Sequence, residues 1–170
     1  MVNVPLISEL TLNESESFMT REISPNVNRN TQRADAIFSG TLKLLHDLGW
    51  NGLIEVNLPN NRRADILAIN HKGEILIIEV KSCLADFSSD EKWPEYEDYC
   101  DYFLFAVDQD FPTQRLPDET GFIIADAFGG AIIREAARKK LSGPRRKSIT
   151  LKFARLAAKR LYQSLTPPMA

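Results

Sequence analysis

Arg63-Ala64-Asp65-Ile66-Leu67-Ala68-Ile69-Asn70-His71-Lys72-Gly73-Glu74-Ile75-Leu76-Ile77-Ile78-Glu79-Val80-Lys81 is the stretch on which the reading of this chain turns. Two apolar runs of strand length, Arg63 to Asn70 and Glu74 to Lys81, flank His71-Lys72-Gly73. Gly sits there at the position that most readily takes positive φ. A hairpin centred on Lys72 sets Asp65 directly opposite Glu79. Facing residues of an antiparallel pair have Cβ atoms about 5 Å apart and point to one side. Lys81, two residues beyond Glu79, shares that side. Two carboxylates and an ammonium therefore meet at one end of an apolar ribbon, and oxygen donors suit a hard divalent cation. A plain cross-strand salt bridge between Lys81 and Glu79 is the competing reading. Against it, acid facing acid destabilises unless a cation or a proton intervenes. Apolar residues on both faces of these strands also imply a sheet covered on both sides.

With Asp65 followed by Glu79-Val80-Lys81 at the close of a hydrophobic strand, the chain resembles the PD-(D/E)XK nucleases of the restriction-endonuclease-like folds. The stretch from Arg63 to Lys81 is similar to archaeal Holliday-junction resolvases. Over roughly residues 30 to 138 the chain looks like the MmcB family of DNA-repair-related proteins. That likeness rests on Arg63-Ala64-Asp65-Ile66, Glu79-Val80-Lys81-Ser82, Asp86-Phe87, Lys92-Trp93-Pro94-Glu95-Tyr96, Cys100-Asp101 and Leu116-Pro117. Ala64 stands where the signature's name has Pro.

The resemblance implies an activity. Asp65 and Glu79 would hold Mg²⁺, with Mn²⁺ as a substitute and the Val80 carbonyl as a further ligand. Lys81 would orient the attacking water and offset charge in the transition state. Asp65, Glu79 and Lys81 are then the catalytic residues of a metal-dependent DNA nuclease acting in DNA repair. The alternative is a weakly catalytic or non-catalytic DNA-binding protein on the same scaffold. Many superfamily members add an acid from the first helix; here the candidates are Asp35 and Glu55, and a solvated role is favoured for both. Trp93 reads equally as a base-stacking residue or as an aromatic packed on the sheet. Asp101 reads as a cap at a strand start rather than a member of the acidic pocket.

Composition sets the frame. At 170 residues, 44% hydrophobic and 26% charged, the chain suits one globular domain with a real core. Its apolar runs are of strand length, so no transmembrane helix and no membrane partner are expected. The N-terminus lacks a basic stretch ahead of an apolar one, so no secretory signal is expected. Cys83 and Cys100 make no disulfide framework, and with His46 and His71 they make no zinc spacing. A cytoplasmic, nucleoid-associated protein follows. The net charge of −2 conceals an asymmetry: residues 137–170 hold ten Lys or Arg and no acid, against eleven basic and 23 acidic residues before them. Such a tail suits a polyanion. Arg145, Arg146, Lys147, Lys152, Arg155 and Lys159 are the expected nucleic-acid contacts, with DNA as partner. A homodimer is left open.

Periodicity orders the chain. Residues 1–28 read as an arm, 29–137 as the nuclease-like domain, and 138–170 as a basic linker and helix. The spacing of Ala34, Ile37, Phe38, Thr41, Leu44, Leu45 and Leu48 predicts a helix from Thr31, capped by Asn30 and stopped at Gly49. Strands follow at Leu53 to Leu58 and in the hairpin, then a loop with a short helix to Tyr99. A central strand at Tyr102 to Val107 and a last hairpin around Gly129-Gly130 complete the sheet. The terminal helix is expected from Ser148 to Ser164, with Ile149, Phe153, Leu156, Ala157 and Leu161 as its apolar stripe. The fold class is α/β: a central mixed sheet in αβββαβ order, the restriction-endonuclease-like core, with a basic C-terminal helix.

Overall fold

The computed structural model describes residues 25–88 and 92–166, the side chains of 25–29, 86 and 88 excepted. The elements run α1 (Pro25–Asp47), β1 (Trp50–Asn57), β2 (Arg63–Asn70), β3 (Ile75–Lys81), α2 (Leu84–Ser88), α3 (Pro94–Glu97), β4 (Tyr102–Val107), β5 (Gly121–Ala125), β6 (Gly130–Arg134) and α4 (Gly143–Leu165). A single 3₁₀ turn, Thr113–Arg115, lies between β4 and β5. The six strands form one mixed sheet in the order β1-β2-β3-β4-β5-β6. The outer pairs β1–β2–β3 and β5–β6 are antiparallel, and β3–β4–β5 are parallel. The expected α/β class and αβββαβ order are both present.

The central hairpin has the register its sequence implies: Ile66 pairs with Ile78 and Leu67 with Ile77. Gly73 takes φ +71 at the turn, in the left-handed region that a Cβ disfavours. Side chains alternate across the sheet, and each face has its own cover. On one side Ile37 and Leu45 of α1 pack against Ile66, Ala68, Leu76, Ile78, Val80, Leu104 and Ala106. On the other, Tyr96 of α3 and Ile149, Phe153 and Leu156 of α4 pack against Leu67, Ile75, Ile77, Phe103 and Phe105. All of β3 is buried. Gly40 lets α1 seat the β5–β6 turn, because a Cβ there would lie 2.0 Å from the Asp126 carbonyl oxygen.

Two helix starts differ from the sequence reading, and proline explains both. Helix α1 starts at Pro25 rather than Thr31, so the end of the expected arm is helical; residues 1–24 lie outside the described part. Helix α4 starts at Gly143 with Pro144 in its first turn, so Arg145, Arg146 and Lys147 are helical and not a linker. Proline's fixed φ and missing N–H fit a helix's first turn, where no intrahelical donor is needed. Leu161 is also misplaced by the sequence reading: it is 61% exposed and faces away from the sheet.

Candidate active site

Regular pairing of β2 with β3 ends at Ile66–Ile78, one residue short of Asp65 and Glu79. Beyond it the side chains take over from the ladder. The Asp65 N–H donates to Glu79 Oε1 at 3.2 Å, and the Val80 N–H donates to Asp65 Oδ2 at 2.8 Å. Each carboxylate thus binds the backbone of the opposite strand, and the rung is closed by side chains instead of peptide groups. The two acids are brought together as their spacing implies.

Glu79 and Lys81 follow Ile75 and Ile77 at two-residue spacing, which places them on the face covered by α3 and α4. Lys81 Nζ lies 4.0 Å from Glu79 Oε2, and both residues are almost sealed, at 5% and 3% exposure. Glu79 is in register with Phe105 of the neighbouring β4, and Phe87 packs edge-on to that ring at 5.5 Å. An apolar surround of this kind weakens screening and strengthens each charge's field.

The donor set matches a hard cation. Asp65 and Glu79 offer carboxylate oxygens held from opposite strands, and an ammonium stands beside them. Val80 adds a second contact: its N–H holds Asp65, and its side chain lies in the core under α1. The candidate third acids stay apart. Asp35 is exposed on α1. Glu55 pairs with Arg63 at 3.3 Å, although β1 places it across from Asp65. Its φ of +51 breaks the strand's alternation there. Among the described residues no group of three His, Cys, Asp or Glu could hold a metal. Burial pushes the Cys100 thiol up, away from nucleophilic use.

A family described as DNA repair protein MmcB-like matches residues 22–167. The chain belongs to the MmcB-like family. Among solved structures it is similar to the SPO1766 protein of unknown function from Silicibacter pomeroyi. The two are 40% identical with a TM-score of 0.77, over 81% of this chain and 93% of that one. No curated protein matches. Membership of the MmcB-like family suggests a role in DNA repair.

The basic residues of this MmcB-like chain divide into two sets. Arg146 makes two bonds of 2.6 Å to Asp101, which is fully buried, and a third to the Gly73 carbonyl. Arg145 lies over the Tyr99 ring and donates to the Asp98 carbonyl. Both hold α4 to the body. Lys147, Arg155 and Lys159 are exposed and Lys152 is half-buried. Arg160, not singled out by its sequence, donates to the carbonyls of Ile54 and Glu55 and so ties the far end of α4 to β1. Asp101 caps β3 by accepting from the Ile75 N–H at 2.8 Å. Trp93 stacks on Phe103 at 5.7 Å and belongs to the packing. Asp90 lies outside the described residues. Among the described residues no helix is long and apolar enough to cross a membrane.

Proposed function

We propose that the chain is a metal-dependent DNA nuclease of PD-(D/E)XK type, with Asp65 and Glu79 as metal ligands and Lys81 as the cationic catalytic residue. The observation that carries this reading is the interlocked rung: two carboxylates crossing between strands, with a buried lysine beside them. A bound Mg²⁺ or Mn²⁺ would supply an acidified water and neutralise phosphate charge. The residues of the chain do the rest. The Asp65 and Val80 N–H groups fix the two carboxylates so that little reorganisation accompanies reaction. Lys81 holds a positive charge where phosphodiester cleavage builds negative charge on oxygen. The exposed cations of α4 supply sequence-independent attraction to phosphates.

A second reading, DNA binding without turnover, is favoured by two observations. Glu79 and Lys81 are nearly closed to solvent, and no third acid joins them among the described residues. The fold alone does not choose between the two. A cleavage screen over branched, flapped and single-stranded DNA with Mg²⁺ and Mn²⁺ separates them. Nicking that disappears in Asp65→Asn and Lys81→Met supports the nuclease. DNA binding that survives EDTA and never yields product supports the second reading. Product from those variants at the parent's rate exposes a contaminant and removes the nuclease reading.

A further inference from the structure

Helix α4 carries a second apolar stripe that its own domain does not use. Leu151, Ala154, Ala158, Leu161 and Leu165 are all exposed and spaced 3, 4, 3 and 4 residues apart. That is the a/d repeat of a helix that packs against another helix. Leu151, Leu161 and Leu165 are each more than half exposed, and so is Tyr162 beside them. The buried stripe, Ile149, Phe153 and Leu156, lies on the opposite side of the same helix. A chain with its sheet covered on both faces has no folding reason to maintain this outer seam.

We propose that the outer seam of α4 is a homodimer interface in which two copies of the helix pack antiparallel, about a two-fold axis near Lys159 and Arg160. Two properties of the helix select a second copy in this register. The first is volume. With the axis there, Ala158 faces the partner's Leu161, and Ala154 faces the partner's Leu165. Each of these layers sets a large residue over a small one, which lets the backbones approach closely, and Leu151 lies beyond the overlap. The second is charge. No charged side chain occurs from Leu161 to Ala170, so the neutral end of each helix lies along the cationic middle of the other. Arg155 meets the partner's Tyr162, a cation–π contact. Moving the axis half a heptad towards the N-terminus instead sets Arg155 against the partner's Arg155. A parallel pair aligns all the cations with their own copies.

The pairing also has a consequence for the cationic surface. Lys152, Arg155 and Lys159 run along one flank of the seam. A two-fold axis perpendicular to the plane of two antiparallel helices keeps the upper side of that plane uppermost. The flanking cations of both copies therefore come to one side and form a single basic surface. The interface is isologous and closes on itself, so it makes dimers and not fibres. The overlap from Ala154 to Leu165 spans only about 17 Å at 1.5 Å per residue, so the dimer belongs to the small, concentration-dependent class.

Sedimentation equilibrium of the full chain across micromolar concentrations should show a shift from 19.2 kDa to twice that mass. Leu161→Glu should raise the dissociation constant more than about tenfold, because it buries an unpaired charge in each half. Register is read by cysteine pairing in a Cys83→Ser background. Ala158→Cys mixed with Leu161→Cys should form a disulfide-linked dimer on mild oxidation, and neither alone should. A monomer at every concentration overturns the proposal, whatever else then covers the seam. So does a dimer untouched by Leu161→Glu. Crosslinking of Ala158→Cys with itself means a parallel pair and overturns it too. These readouts are independent of cleavage, so they stand whether or not the chain is a nuclease.

Discussion

The two ends of β3 each bring a buried carboxylate and a cation together, and they do opposite things with them. At the Ile75 end Asp101 is fully buried and fully answered. It accepts from the Ile75 N–H, the Leu141 N–H and both arms of the Arg146 guanidinium. One acid meets one base at 2.6 Å. At the Lys81 end two acids share a rung with Lys81, whose Nζ is 4.0 Å from Glu79. A matched pair with saturated bonds is a fastener. Two like charges in an apolar surround form a site that gains from an added cation. Each end has a buried carboxylate and a half-buried partner, Arg146 at one and Asp65 at the other, so stoichiometry and distance make the difference.

Removing the fastener should produce the largest effect. Arg146→Ala leaves Asp101 charged and buried without its partner, which costs about 3–5 kcal/mol. Chemical denaturation should show the unfolding free energy fall by that amount, with α4 loosened from the sheet. A loss under about 1 kcal/mol would mean that Asp101 is rehydrated and that the two ends do not differ in kind. At the other end the order of effects reverses. Lys81→Met should lower DNA cleavage by about 10²–10³-fold, the usual scale for deleting one electrostatic stabiliser. Asp65→Asn keeps an acceptor for the Val80 N–H and removes one of two facing charges. Its melting temperature should hold or rise while cleavage is lost, a trade of activity for stability. A large drop in stability for Asp65→Asn would make the rung a second fastener.

What the sequence could reveal follows from the range of each interaction. The hairpin was legible because its register depends on local things: a three-residue turn, a glycine and two apolar runs. Asp65 and Glu79 came together for that reason. The bond of Arg146 to Asp101 was not legible because its partner is 45 positions away in sequence. A basic run looks the same whether its members face phosphate or a buried aspartate. Glu55 shows a different limit. Its strand was readable but its facing was not, because its positive φ and the Arg160 bond to its carbonyl belong to the folded chain. The outer seam of α4 was present in the spacing but hidden, since Leu161 fits either stripe until the burial of Ile149 and Phe153 fixes the helix's rotation.

Acid should separate the two ends further. Burial pushes the Asp101 carboxyl up, but the bonds from Arg146 and from the Ile75 and Leu141 N–H groups outweigh it and hold it below the ordinary range. A carboxyl depressed in the folded state contributes stability that is complete above its unfolded value, near about 4. That contribution is lost as pH falls through the lower folded value. Stability of the parent should therefore decline additionally below about pH 4. Arg146→Gln should show a lower plateau and a weaker decline over the same window. An equal acid slope in both proteins would show that Asp101 is not the group responsible.

The smallest effects belong to the surface of α4, where the same comparison applies within one helix. Lys147, Lys152, Arg155 and Lys159 are candidates for phosphate contact, and Arg145 and Arg146 are already bonded to the body. Each phosphate contact adds about 0.9 to the slope of log affinity against log salt on duplex DNA. Arg155→Gln and Lys159→Gln should each reduce that slope by about one contact's share and weaken binding to every sequence alike. Arg145→Gln should leave the slope unchanged, because its guanidinium lies on the Tyr99 ring beside Asp98. If Arg145→Gln lowers the slope as much as Arg155→Gln, intramolecular bonding does not keep an arginine from DNA. The division of α4 into fastening and binding residues would then fail, with the contrast between the ends of β3 left standing on its own.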